Sequence, residues 1–184
     1  MSRVYAFFAD GLEEVEALAV VDMLRRGGVD VVTTSIMGRP EIVGAHGVHI
    51  VADAVFEEID PARADLLYLP GGMPGAQYLK DHKGLAEALL AAEGRGQKIA
   101  AICAAPMVLG SLGLLRGRCA TCYPGFEGEL TGAKHDPDAF VVRDGYITTG
   151  RGPGCAIHLG LDLVAQLVSP ETSREIRDSL QLPA

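Results

Sequence analysis

Short apolar runs alternate with longer amphipathic stretches along this chain, and that alternation predicts an α/β fold. Residues 4–8 form an apolar run closed by Ala9-Asp10-Gly11 and read as a first strand. Residues 12–26 read as a helix. Glu13 and Glu14 fall in its first turn, where negative charge complements the macrodipole, Arg25 and Arg26 fall in its last, and Gly27-Gly28 ends it. A β-branched run predicts a second strand over 29–36, and residues 41–51 read as a β-excursion turning at Gly44-Ala45-His46-Gly47. Residues 66–69 are a further buried strand, ending in Pro70-Gly71-Gly72. Residues 76–79 and 85–93 read as helical, divided by Asp81-His82-Lys83-Gly84. Residues 98–102 predict a short strand covered on both faces, followed by a helix to about residue 112. Residues 118–122 predict another strand, and residues 140–142 and 146–149 a hairpin about Arg143-Asp144-Gly145. A strongly apolar helix over 155–168 and a polar one over 170–180 complete the pattern. Strands alternating with helices imply a mostly parallel sheet with helices on both faces, in a single domain over 1–184.

The pattern organises itself around Cys103. It stands where a buried strand turns into a helix whose start is marked by Ala104, Ala105 and Pro106, proline lacking only an N–H that the first turn leaves free. Such a corner exposes a side chain at the carboxyl edge of the sheet, where open α/β folds bind ligands. The free N–H groups and positive helix end favour thiolate over thiol. A small buried core cysteine is the alternative. Glu16 is the second candidate. Val20, Met23 and Leu24 follow it on one apolar face, so it is either exposed at the edge of that stripe or a buried carboxyl that needs a partner or a proton. A buried Glu16 beside Cys103 has a raised pKa and titrates with it as a pair. The turn Pro70-Gly71-Gly72-Met73-Pro74-Gly75 also follows a strand, and glycines there let backbone N–H groups approach a ligand and, with that of Ala104, hold an oxyanion. It lacks the Gly-Lys-Ser/Thr of a phosphate-binding loop.

The remaining candidates read as structural. Gly150-Arg151-Gly152-Pro153-Gly154-Cys155 departs from the dinucleotide pattern, with Cys155 in place of the third glycine. Cys119 and Cys122 are three apart on a strand and point to opposite faces, so they do not converge on a metal. His46 and His49 diverge in the same way, and His135 lies in a polar loop as a surface or site residue. No metal and no cofactor is expected. Composition narrows the class further. Of 184 residues 48% are apolar, which excludes disorder, and a net charge of −8 argues against nucleic acid or an anionic membrane as partner. No apolar run approaches the roughly 20 residues that span a bilayer, the N-terminus enters a strand at once, and four cysteines do not make a disulfide scaffold; a soluble, reducing, cytoplasmic setting is expected.

Taken together, Glu13-Glu14-Val15-Glu16-Ala17, Leu69-Pro70-Gly71-Gly72-Met73-Pro74-Gly75-Ala76, Ala100-Ala101-Ile102-Cys103-Ala104-Ala105-Pro106 and Arg151-Gly152-Pro153-Gly154 resemble the ThiJ/PfpI superfamily. The similarity is to the branch that holds the Parkinson-disease-associated protein deglycase and its bacterial relatives. It spans nearly the whole chain. It implies a flavodoxin-like three-layer α/β sandwich and a homodimer. It implies Cys103 as oxidation-prone nucleophile, Glu16 as a protonated carboxyl bonded to its sulfur, and backbone donors at Gly72 and Ala104, with Gly71 supporting. Pro153 matches a proline at the dimer contact and Arg26 an arginine near it. His46 stands where the family has an arginine, and Ala133 and His135 fall near the place of an assisting histidine. Ala104 replaces the histidine that follows the nucleophile in the peptidase branch, which argues against proteolysis.

Three functions compete. The first is a glutathione-independent glyoxalase or deglycase, with dicarbonyls such as methylglyoxal or their early protein and nucleotide adducts as substrates. The second is an oxidative-stress sensor or chaperone working through Cys103 oxidation without turnover. The third is an inert flavodoxin-like binding module.

Overall fold

A computed structural model describes residues 1–182 of the 184. The apolar runs become strands of one sheet. These are β1 (Arg3–Phe8), β2 (Asp30–Ser35), β5 (Ala54–Val55), β6 (Leu66–Leu69), β7 (Lys98–Ile102), β10 (Val141–Asp144) and β11 (Ile147–Gly150). A separate antiparallel pair, β3 (Glu41–Val43) and β4 (His49–Val51), forms the expected excursion. The main sheet runs in the order β10-β11-β7-β6-β1-β2-β5 and is parallel except for the β10–β11 hairpin. Its central strands are sealed: Phe7, Phe8, Leu66, Leu67, Leu69 and Ile99 to Ile102 are fully buried.

The helices are α1 (Glu14–Arg26), α2 (Gly75–Asp81), α3 (Lys83–Gly94), α4 (Pro106–Ser111), α5 (Ala156–Leu167) and α6 (Pro170–Ser179). From β1 the chain crosses outward to β2, and from β6 it crosses the other way to β7. Right-handed crossovers in opposite directions put α1 and the α2–α3 pair on opposite faces. They also open a crevice at the carboxyl ends of β1 and β6, the switch point where such folds bind ligands. Helix α5 lies against α1 so closely that a Cβ on Gly160 would sit 2.7 Å from Met23 Cβ. Gly160→Ala is therefore expected to lower stability by about 1–3 kcal/mol through overpacking, read as a reduced urea midpoint at unchanged slope.

Three local differences from the sequence pattern have identifiable causes. Helix α1 begins at Glu14 because Glu13 is its cap, accepting the Glu16 N–H at 2.8 Å. The stretch expected as a strand over 118–122 shortens to β8 (Cys119–Ala120), which pairs in parallel with β9 (Lys134–His135) outside the main sheet. The Thr121 N–H goes instead to the Thr149 side-chain hydroxyl at 2.9 Å, which ends that ladder. Helix α5 starts one residue later than expected, after a 3-10 turn over Pro153–Cys155. Among the described residues no helix is long and apolar enough to cross a membrane.

Candidate active site

Three separate crossovers deliver Glu16, Gly71 and Cys103 to one corner. A Cβ placed on Gly71 would lie 2.6 Å from Glu16 Oε2, 2.7 Å from Cys103 Cβ and 2.8 Å from the Ile102 carbonyl oxygen. Only glycine fits between the carboxyl and the cysteine, which explains the glycine that follows β6.

Cys103 itself adopts φ 63°, a left-handed conformation that a side chain adopts at a cost of about 1–3 kcal/mol. The surroundings hold it there. Its N–H donates to the Gly150 carbonyl at 2.9 Å, its carbonyl accepts from the Tyr123 N–H at 2.9 Å, and the Ala105 N–H closes the corner onto Ile102 at 2.9 Å. The residue is 8% exposed. The N–H groups of Gly72 and Ala104 face its sulfur.

Glu16 has no solvent-exposed surface, so the buried reading of the stripe is the correct one. Its Oε2 accepts from the Gly71 N–H at 2.9 Å, and its backbone carbonyl accepts from the Tyr68 hydroxyl at 2.9 Å. Its Oε1 is sealed from solvent and has no hydrogen-bond partner; the group beside that carboxyl is the Cys103 thiol. Burial raises the Glu16 pKa to about 7, with the Glu13 charge adding and the Cys103 and Gly71 contacts opposing. Burial also pushes the Cys103 thiol up, followed by the Glu16 charge, against the two N–H groups. Burial thus opposes the thiolate expected from the helix end alone, and a thiolate suits this corner only while Glu16 beside it is neutral. Helix α4 has only six residues, and desolvation outweighs its field. The two groups behave as a pair: the corner tolerates one negative charge, shared with one proton, and resists a second.

The other candidates lie around this corner or away from it. His46 folds over the start of α1, its backbone N–H and Nδ1 both 2.7 Å from the two Glu14 oxygens, and Glu14 raises its pKa. Glu14 is thus tied up by that loop, where the sequence suggested only a helix-end charge. Glu13, Glu14 and His46 offer ligand atoms within 4.8 Å of one another, but each carboxylate already accepts a hydrogen bond. Arg26, at the far end of α1, pairs with Asp22 at 2.8 Å. His135 lies on β9 beside Cys119–Ala120, and the groups acting on Cys103 do not include it. Cys122 and Cys155 are buried, Cys119 is exposed, and all four thiols are free. Tyr123 was not singled out in the sequence. It is 45% exposed, it is bonded to the Cys103 carbonyl, and it lines a cavity of about 320 Å³ with Pro153 and Cys155. Only its loop position before Pro124 marks it, a signal too general to find it.

Comparison with known proteins matches this fold. Residues 2–166 match the DJ-1/PfpI family model, and the chain belongs to that family. It is 39% identical over 173 residues to Protein DJ-1 homolog B of Arabidopsis thaliana, an alignment covering 94% of this chain and 40% of that longer protein. A deglycase of Pyrococcus abyssi is 37% identical over 153 residues, 83% of this chain and 91% of that one. Among solved structures, the oxidized form of Toxoplasma gondii DJ-1 superimposes with a TM-score of 0.95 at 32% identity, covering 100% of both chains.

Proposed function

We propose that this protein is a cysteine-dependent glyoxalase or deglycase that acts on reactive dicarbonyls such as methylglyoxal, or on their early adducts, without glutathione, metal or cofactor. The observation that carries this reading is the partnerless, sealed Oε1 of Glu16 beside the Cys103 thiol. The carboxyl lies beside the Cys103 thiol, and a proton on its unpaired oxygen is free to pass to a substrate oxygen. In its reactive form the pair is Cys103 thiolate and neutral Glu16. The sulfur attacks the aldehyde carbon while the carboxyl protonates the resulting oxygen, giving a hemithioacetal. The Glu16 carboxylate then takes the hydrogen on that carbon as a proton and returns it to the neighbouring carbon. The hydroxyl proton passes from the first oxygen to the second. The aldehyde carbon is thereby oxidised to a thioester and the ketone reduced to an alcohol, with no external electron acceptor. Water cleaves the thioester, its hydroxyl going to the acyl carbon and its proton to Glu16, and releases lactate. The Gly72 and Ala104 N–H groups stabilise the oxyanion of each tetrahedral stage.

The Pyrococcus relative's name, a deglycase, supports the same chemistry. By the family resemblance, Pro153, Arg26 and His46 sit on the partner-facing side of a homodimer, and cysteine usage and composition favour a cytoplasmic setting. The test is lactate formation from methylglyoxal in glutathione-free, chelator-treated buffer. Formation above the buffer rate is expected, and its absence overturns the reading.

A second reading is favoured by one observation: the Toxoplasma relative was solved in an oxidized form. In it, two hydroperoxide molecules in turn each give one oxygen to Cys103 and leave as the alcohol or water, taking the thiolate through the sulfenic to the sulfinic state, and protonated Glu16 holds the sulfinate by a charge-assisted hydrogen bond. Intact mass after mild peroxide is expected to show two added oxygens on wild type and over-oxidation to three in Glu16→Ala. Equal products from both chains would remove it.

A further inference from the structure

The cavity beside the corner is not used by the chemistry above. Its volume is about 320 Å³ and its walls include Tyr123, Phe140, Arg151, Gly152, Pro153 and Cys155. The Cys103 carbonyl accepts from the N–H of Tyr123, a wall residue, and its N–H donates to Gly150, the residue before Arg151. The backbone bond from Tyr123 to Cys103 sets the cavity beside the reacting pair. Its size and its mostly apolar wall with few polar groups are those of a small-molecule site.

Two features of the wall define a ligand. The first is aromatic. Tyr123 and Phe140 are 45% and 57% exposed, the Tyr123 ring lies over Gly152 where a Cβ would come within 3.0 Å of it, and Phe140 is flanked by His158 with ring centroids 5.7 Å apart. Exposed rings gathered at one cavity mark a binding surface. The second is cationic. Among the described residues three arginines are half-buried: Arg3, Arg118 and Arg151. Arg3 pairs with Asp30 at 2.7 Å and Arg118 with Asp144 at 3.8 Å, whereas Arg151 has no ion pair and no side-chain hydrogen bond. In a chain of net charge −8, an unpaired half-buried arginine in the wall of a cavity that also holds two exposed aromatic residues calls for an incoming anion on a flat apolar body.

We infer that this cavity is a subsite for an aromatic carboxylate, and that it selects dicarbonyls whose substituent is an aryl ring bearing an anionic group. Binding at the subsite stands on the geometry alone; substrate selection rests also on the glyoxalase reading, so the experiment has two arms. In the first, benzoate is titrated into the wild type and into Cys103→Ala by calorimetry. Binding is expected in both, weakened roughly tenfold or more by Arg151→Gln and partly restored by Arg151→Lys. Tyr123→Ala is expected to weaken it as well. In the second arm the ratio of kcat/KM for 4-carboxyphenylglyoxal over phenylglyoxal is measured. It is expected to exceed one in the wild type and to fall roughly tenfold in Arg151→Gln. Benzoate binding that is absent, or indifferent to Arg151, overturns the subsite even if lactate is formed. Binding that depends on Arg151 with no turnover of any dicarbonyl sinks the glyoxalase reading and leaves the subsite standing. If Arg151→Gln changes the association state of the protein but not benzoate affinity, the cavity is a surface between copies and the inference fails.

Discussion

Cys103→Ala is expected to reduce lactate formation from methylglyoxal to the rate of buffer alone, a loss of at least about a thousandfold, because no other group in the corner can form the covalent bond. The variant is expected to fold. Alanine at φ 63° carries the same backbone penalty as cysteine, and removal of one sulfur from an 8% exposed site leaves the Gly150 and Tyr123 backbone bonds in place. A circular dichroism spectrum matching the wild type guards against the trivial explanation. Cys119→Ala, exposed and on the separate β8–β9 ladder, serves as the control for thiol loss in general and is expected to turn over normally. Turnover that survives in Cys103→Ala would sink the mechanism.

Glu16→Gln is expected to lower kcat by about 10²–10⁴-fold, the usual worth of a positioned general acid–base group. The amide keeps an oxygen for the Gly71 N–H, now 2.9 Å from Oε2, but cannot give and retake a proton. Two pH measurements separate this role from a packing role. Alkylation of Cys103 by iodoacetamide is expected to rise with pH through about 7 in the wild type, where the pair loses its first proton, and to lose that inflection in Glu16→Gln. Stability gives the second. The carboxyl holds its proton to about pH 7 in the folded chain but only to 4.5 when unfolded. Between those values the folded state binds more protons, so wild-type stability falls as pH rises and levels off above 7. The shift corresponds to about 3 kcal/mol. Urea midpoints at pH 4.5 and pH 8 are expected to differ accordingly in the wild type and to differ little in Glu16→Gln. A flat wild-type profile would mean that Glu16 is already ionised at acid pH and cannot be the proton donor.

Strands β1, β6 and β7 are legible in the sequence because each is buried on both faces and so appears as an unbroken apolar run. Strand β5 is not, since a two-residue edge strand has no period to detect. Residues 118–122 mislead for the opposite reason: their local pattern is β-like, and a side chain 28 residues away decides where the ladder stops. Glu16 and Cys103 were identifiable as chemistry-bearing residues out of place, a carboxylate on an apolar stripe and a thiol on a strand–helix corner. Whether Glu16 was inside or out depended on the angle at which α1 meets the sheet, which periodicity does not contain. The direction of the Cys103 shift was also beyond it, because the helix field is local whereas burial depends on chain brought in from elsewhere. The flanking cavity was invisible for the same reason: its walls come from residues 123, 140 and 151–155, brought together only by the hairpin β10–β11 and the start of α5.

The positive φ at residue 103 has one more consequence. A chain tuned for rigidity alone would place glycine there, the one residue at ease with that twist, and would gain a kilocalorie or so by doing so. Placing a thiol there instead accepts that strain, and the twist sets the Cys103 Cβ against Gly71 and the Glu16 carboxyl.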